Sequence, residues 1–101
     1  MYKAHRLNDN ITWEELGSLP INFTPVLQPK DHARDNSARA ARAAHTLADY
    51  WDRQGDDGDA AAVMSHLLAD MMHLADALGI NFSDVRHAAE YHYTFEVEGR
   101  E

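Results

Sequence analysis

The chain has no cysteine, and that absence removes disulfides, thiolate nucleophiles, iron–sulfur clusters and cysteine-type zinc sites together. Histidine, aspartate and glutamate are left as the only metal ligands. No apolar run approaches the roughly 18–20 residues that a membrane span needs, and the opening MYKAHRLNDN lacks the apolar stretch of a signal peptide. A soluble cytoplasmic protein is the expectation. Also missing are a glycine-rich phosphate loop, a nucleophile elbow and any Ser/His/Asp order. The expectation is therefore a protein without catalysis and without a bound cofactor, with a divalent metal as the alternative.

What is present is a 101-residue chain, 45% hydrophobic, with alanine supplying many of those residues. A chain of this size buries roughly 60–65% of its unfolded surface, and alanine makes the core thin, with helices packed closely. One domain over 1–101 is expected. The net charge of −8 is unevenly placed: residues 1–45 carry +1 and residues 46–101 carry −9. That second half repels phosphates and favours a basic partner or a cation.

All three prolines, Pro20, Pro25 and Pro29, fall in residues 1–30, too close together for a helix between them. This region reads as an extended arm. It starts with one helical turn, in which Thr12 and Glu15 form a capping box, Trp13 and Leu16 anchor, and Gly17 stops. LPINFTPVLQP then offers Ile21, Phe23, Val26 and Leu27 to the helices that follow, with a short edge strand as one form.

Residues 31–101 read as a small antiparallel bundle of three main helices, so the fold class is all-α. The first begins at Asp31 or at Ser37 and runs to Arg53, with Ala40, Ala44, Leu47 and Trp51 on one face. Asn36 and Ser37 are cap-type residues inside that pattern. The second runs from its cap Asp59 to Leu78 and carries Met64, Leu67, Leu68, Met71, Leu74, Ala75 and Leu78, the wide face of a central bundle helix. Gly79 and Ile80 read as a Schellman stop. The third, capped by Ser83 or Asn81, runs to about Val97 with Phe82, Val85, Ala89, Tyr91 or His92, and Phe95 inward.

Residues 63–95 hold four of the seven histidines. His66, Asp70 and His73, at i, i+4 and i+7, form one stripe where imidazoles and a carboxylate can share a cation, with His87 or Glu90 as a further ligand. The bland alternative is solvated side chains, with His73 bordering the core. Neither the HExxH pattern nor the Glu-x-x-His pair of di-iron bundles is present. Asp56, Asp57 and Asp59 lack the alternating oxygens and final glutamate of a calcium loop and read as a helix start. His87, Tyr91, His92 and Tyr93 read as packing of the last helix. Lys30, Arg34, Arg39 and Arg42 form a basic strip that pairs with the chain's own acidic half.

LLADMMH at Leu67 to His73, GINF at Gly79 to Phe82 and HAAEYHY at His87 to Tyr93 resemble the C-terminal module of small all-α proteins encoded by phages and mobile elements. The resemblance covers about a quarter of the chain and implies a genomic context in a bacterial host, not a reaction. A second, weaker similarity is to MazG-like NTP pyrophosphohydrolases, where Asp70 stands at the aspartate of a Glu-x-x-Asp pair. Leu67 occupies the glutamate's place, and the preceding helix offers only Asp49 and Asp52, so magnesium would be poorly held.

Together these readings give a non-enzymatic acidic module binding the basic surface of a host protein or nucleoprotein complex, as an inhibitor of anti-CRISPR or antirestriction type. Asp49, Asp52, Asp56, Asp57, Asp59, Asp76 and Asp84 would contact Lys/Arg that normally meet phosphate. A MazG-like hydrolase and a structural homodimer are the alternatives.

Overall fold

The computed structural model describes residues 1–21, 32–55 and 58–99. Its helices are α1 Trp13–Gly17, α2 His32–Gln54, α3 Ala60–Leu78 and α4 Phe82–Glu98, with no strand among the described residues. The chain is all-α. No helix among the described residues is long and apolar enough to cross a membrane. The expectations placed on Phe23, Pro25, Val26, Leu27, Pro29 and Lys30, including the edge strand, lie outside the described residues, as do Asp56 and Asp57.

Local chemistry sets the helix ends. Glu15 N donates to Thr12 Oγ1 and Thr12 N to Glu15 Oε1, both at 3.1 Å, closing the capping box of α1. Asp59 accepts from Ala62 N at 2.9 Å and starts α3. At its far end Gly79 sits at φ 70°, and Ile80 N reaches back to Ala75 O at 2.8 Å, the Schellman geometry. Asn81 rather than Ser83 caps α4, its Oδ1 accepting from Ser83 N at 2.9 Å.

α1 lies against α2 through flat contacts. Trp13 stacks on Trp51 with centroids 5.1 Å apart and planes 8° from parallel. A Cβ on Gly17 would sit 3.3 Å from that of Ala48, so the small residue permits the close approach. Leu19 follows and is buried, its carbonyl 2.6 Å from His45 Nε2.

The main difference from the sequence expectation is at Asn36 and Ser37. They do not cap anything: α2 is already helical at His32, and both residues are buried inside it. Asn36 Nδ2 uses both its hydrogens, donating to Tyr2 O at 2.6 Å and to Glu96 O at 2.9 Å, while its Oδ1 accepts from Arg39 Nη1 at 2.7 Å. Ser37 Oγ donates to Ala33 O at 2.7 Å and accepts from His5 N at 2.8 Å. Tyr2 N donates to Val97 O at 2.7 Å, and Arg39 pairs with Glu96 at 2.8 Å. Two adjacent polar residues thus tie the start of the chain and the end of α4 to α2.

Among the described residues the buried apolar set is small: Leu19, Ala41, Leu47, Ala48, Val63, Ala75 and Val97. α1 and α2 share the densest packing, and α3 and α4 the sparsest. The expected inward side of α4 is also revised. Val97 is buried, Phe82 and Phe95 are half-buried, and Val85, Ala89, Tyr91 and His92 are exposed. The helix is held at its C-terminal end, so residues further back reach solvent.

Asn36→Ala should lower stability by about 1–3 kcal/mol, because it strands two partly buried carbonyls. The urea midpoint measures the loss, and hydrogen exchange at Tyr2 and His5 should accelerate with it. A midpoint equal to wild type would show that the clip carries no stability.

Candidate functional site

The histidine stripe on α3 was the sharpest chemical expectation. His66, Asp70 and His73 share one side of the helix and are all exposed. Asp70 is engaged across the α2–α3 gap, where its carboxylate accepts a short hydrogen bond from the Tyr50 hydroxyl. Tyr50, Gln54, His66, Ala69 and Asp70 line an open cleft of about 330 Å³. Among the described residues, no three His, Asp or Glu side chains gather closely enough to hold a metal ion. His87 and Glu90 are exposed on α4.

The acidic residues divide by role. Asp59 caps α3, and Asp49 pairs with Arg53 at 3.0 Å one turn along α2, an exposed pair of small energetic weight. Asp84 lies in the first turn of α4, where the helix dipole favours a negative charge. Asp52 and Asp76 are exposed. These carboxylates are spread over three helices. On the basic side, Arg39 is paired with Glu96, in line with the expectation that the strip serves the chain's own acidic half.

The feature that sequence reasoning placed inside is on the outside. Met64, Leu68, Met71, Leu74 and Leu78, expected to fill a bundle, are 43–62% exposed. At about 100° per residue these five share an arc of about 120° on α3. Met72, Ile80 and Val85 extend the exposed apolar surface around the turn. On α4, Tyr91 packs on Phe95 at 4.5 Å and meets the His92 ring edge-on at 6.4 Å, yet Tyr91 and Tyr93 remain well exposed. Val63 is fully buried, and Ala75, which falls within the same arc as the five exposed residues, is buried among them. The apolar pattern identified this face correctly; exposure depends on where α2 and α4 lie, which periodicity does not encode.

With Asp70 held by Tyr50 and both groups reaching water, Tyr50→Phe should cost at most about 1 kcal/mol. Magnesium or manganese at millimolar concentration should leave Tm unchanged; a saturable rise abolished by Asp70→Asn would establish the metal site. The chain matches no family model, no curated protein and no solved structure among those compared with it.

Proposed function

We propose that this chain is a non-enzymatic protein-binding module whose working surface is the open apolar face of the α3–α4 hairpin. One observation carries the proposal: five Met and Leu side chains on a single arc of α3 stand 43–62% exposed. Scattered single apolar residues are ordinary on protein surfaces, but a contiguous face of this kind marks an interaction site. Full burial of each such side chain contributes about 1.5–3 kcal/mol relative to exposure, which gives association its driving force. Three of the residues on and beside the arc are methionine, whose unbranched chain adapts to a partner's contours. In this reading the antiparallel bundle, with its N-terminal arm, is completed on the hairpin side by the partner.

Asp76 and Asp84 favour a second reading, because both are exposed and border the Gly79 turn beside the apolar face. Here the acidic rim, with Asp52, meets a basic surface such as that of a host nucleic-acid-handling complex, the inhibitor type implied by the resemblance to phage-encoded proteins. Opposite charge steers such encounters, so association would weaken as salt rises.

The two readings separate in one experiment, using the immobilised chain to capture partners from host lysate. Leu68→Ser with Leu74→Ser should leave helicity intact, since exposed substitutions usually change stability by less than about 0.5 kcal/mol, while capture falls at least tenfold. Capture indifferent to these changes but lost on raising the salt would support the acidic surface instead.

A further inference from the structure

A polar cleft adjoins the apolar face of α3. At about 100° per residue Asp70 stands only about 40° around the helix from Leu74, at the edge of the exposed arc. It also lines the cleft of about 330 Å³ between α2 and α3, together with Tyr50, Gln54, His66 and Ala69. From this placement we infer that the cleft receives an arginine side chain of the protein that covers the apolar face. The inference rests on the binding reading above and adds a chemical requirement on the partner.

Asp70 has acceptor capacity to spare. Its Oδ2 accepts the short hydrogen bond from the Tyr50 hydroxyl, which takes one of the roughly four acceptor sites of a carboxylate and fixes the group at the cleft wall. Among the described residues no ion pair reaches Asp70: Arg6 is with Asp9, Arg39 with Glu96 and Arg53 with Asp49. A second cleft, beside Trp13, is lined by Asp9 and Asp59. Both of those carboxylates are engaged, one by Arg6 and the other by the Ala62 amide. The α2–α3 cleft is therefore the one of the two whose carboxylate lacks a cation, and it lies in the half of the chain, residues 46–101, that carries −9.

The lining selects the kind of cation. Among the described residues no three His, Asp or Glu side chains gather closely enough to hold a metal ion. One carboxylate beside a glutamine amide and a phenol ring suits a flat donor with several N–H groups. A guanidinium matches it, with five donors in a fixed fork that engages both oxygens of a carboxylate, weak hydration, and a plane that packs on aromatic rings. A lysine ammonium is a compact charge that holds its water tightly, and an open cleft gives it little reason to shed that water. The cleft is at the small end of ligand sites, a size for one side chain rather than a larger molecule. Apolar anchors beside a desolvated arginine are a common composition for the centre of a protein interface.

Titrating the isotope-labelled chain with Nα-acetyl-arginine amide, and separately with Nα-acetyl-lysine amide, tests this by NMR. The arginine compound should move the amide resonances of Tyr50, Gln54, Ala69 and Asp70 along saturable curves, with an affinity about tenfold above that of the lysine compound. Asp70→Asn keeps the side chain's shape and removes its charge, and should abolish those shifts while the rest of the spectrum stays in place. Tyr50→Phe should weaken arginine binding about threefold and narrow its advantage over lysine, since the carboxylate is no longer held. Shifts without saturation, equal affinity for the two compounds, shifts spread equally over Asp52, Asp76 and Asp84, or saturable shifts that survive Asp70→Asn overturn the inference. Such a result leaves the apolar-face reading standing, because that reading is tested separately at Leu68 and Leu74. Capture that ignores Leu68 and Leu74 removes the reading on which the arginine assignment rests.

Discussion

Everything in this fold depends on one buried polar clip, the Asn36–Ser37 pair in the first turns of α2. Burying an amide and a hydroxyl is costly unless their hydrogen-bonding capacity is used, and here it is used on segments far away in sequence. Asn36 holds Tyr2 and Glu96 at once, Ser37 holds His5, and the Tyr2 amide closes the circuit on Val97. Hydrogen bonds of this kind are directional where alanine contacts are not. They fix which part of α4 meets α2, and hence where the rest of the hairpin can go.

From that constraint the open face follows. α4 is anchored at its last turns, where Val97 is buried and Gly99, at φ 72°, lies so close to Tyr2 and His32 that a Cβ would come within 2.9 Å of the Tyr2 ring. α3 is anchored through Val63 and through Asp70 at Tyr50. Between these anchors and the Gly79 turn no third helix among the described residues lies over the two helices, because α1 is already committed to Trp51 and Ala48 on α2. The outcome is a hairpin tied at its base, with much of its apolar surface uncovered by the described residues.

What the sequence made legible was everything decided within a few residues. The Thr12–Glu15 capping box, the Asp59 cap and the Gly79–Ile80 stop all form as read, because each depends only on neighbours one turn away. Asn36 and Ser37 were legible as unusual but not as tertiary. Their side chains offer the same donors and acceptors whether the backbone group they meet is one turn away or sixty residues off. The apolar face of α3 was legible in full as a pattern; its exposure was not, since periodicity states which residues share a side and is silent on what covers it. The histidine stripe shows the same limit, for shared sidedness put His66, Asp70 and His73 together while Tyr50 on another helix engaged Asp70.

Thin alanine packing brings these threads together. Alanine lets α2 approach its neighbours closely but contributes little apolar area per residue, so the seven mostly small side chains buried among the described residues give a modest hydrophobic gain against chain entropy. The radius of gyration, 15.0 Å, exceeds the roughly 13 Å of a compact domain of this length. Six large apolar side chains of α3, Met64, Leu68, Met71, Met72, Leu74 and Leu78, are left out of that core. The residues that hold the fold together and those with the most apolar surface still open to water are therefore different sets: the first small and centred on α2, the second on the outer side of α3.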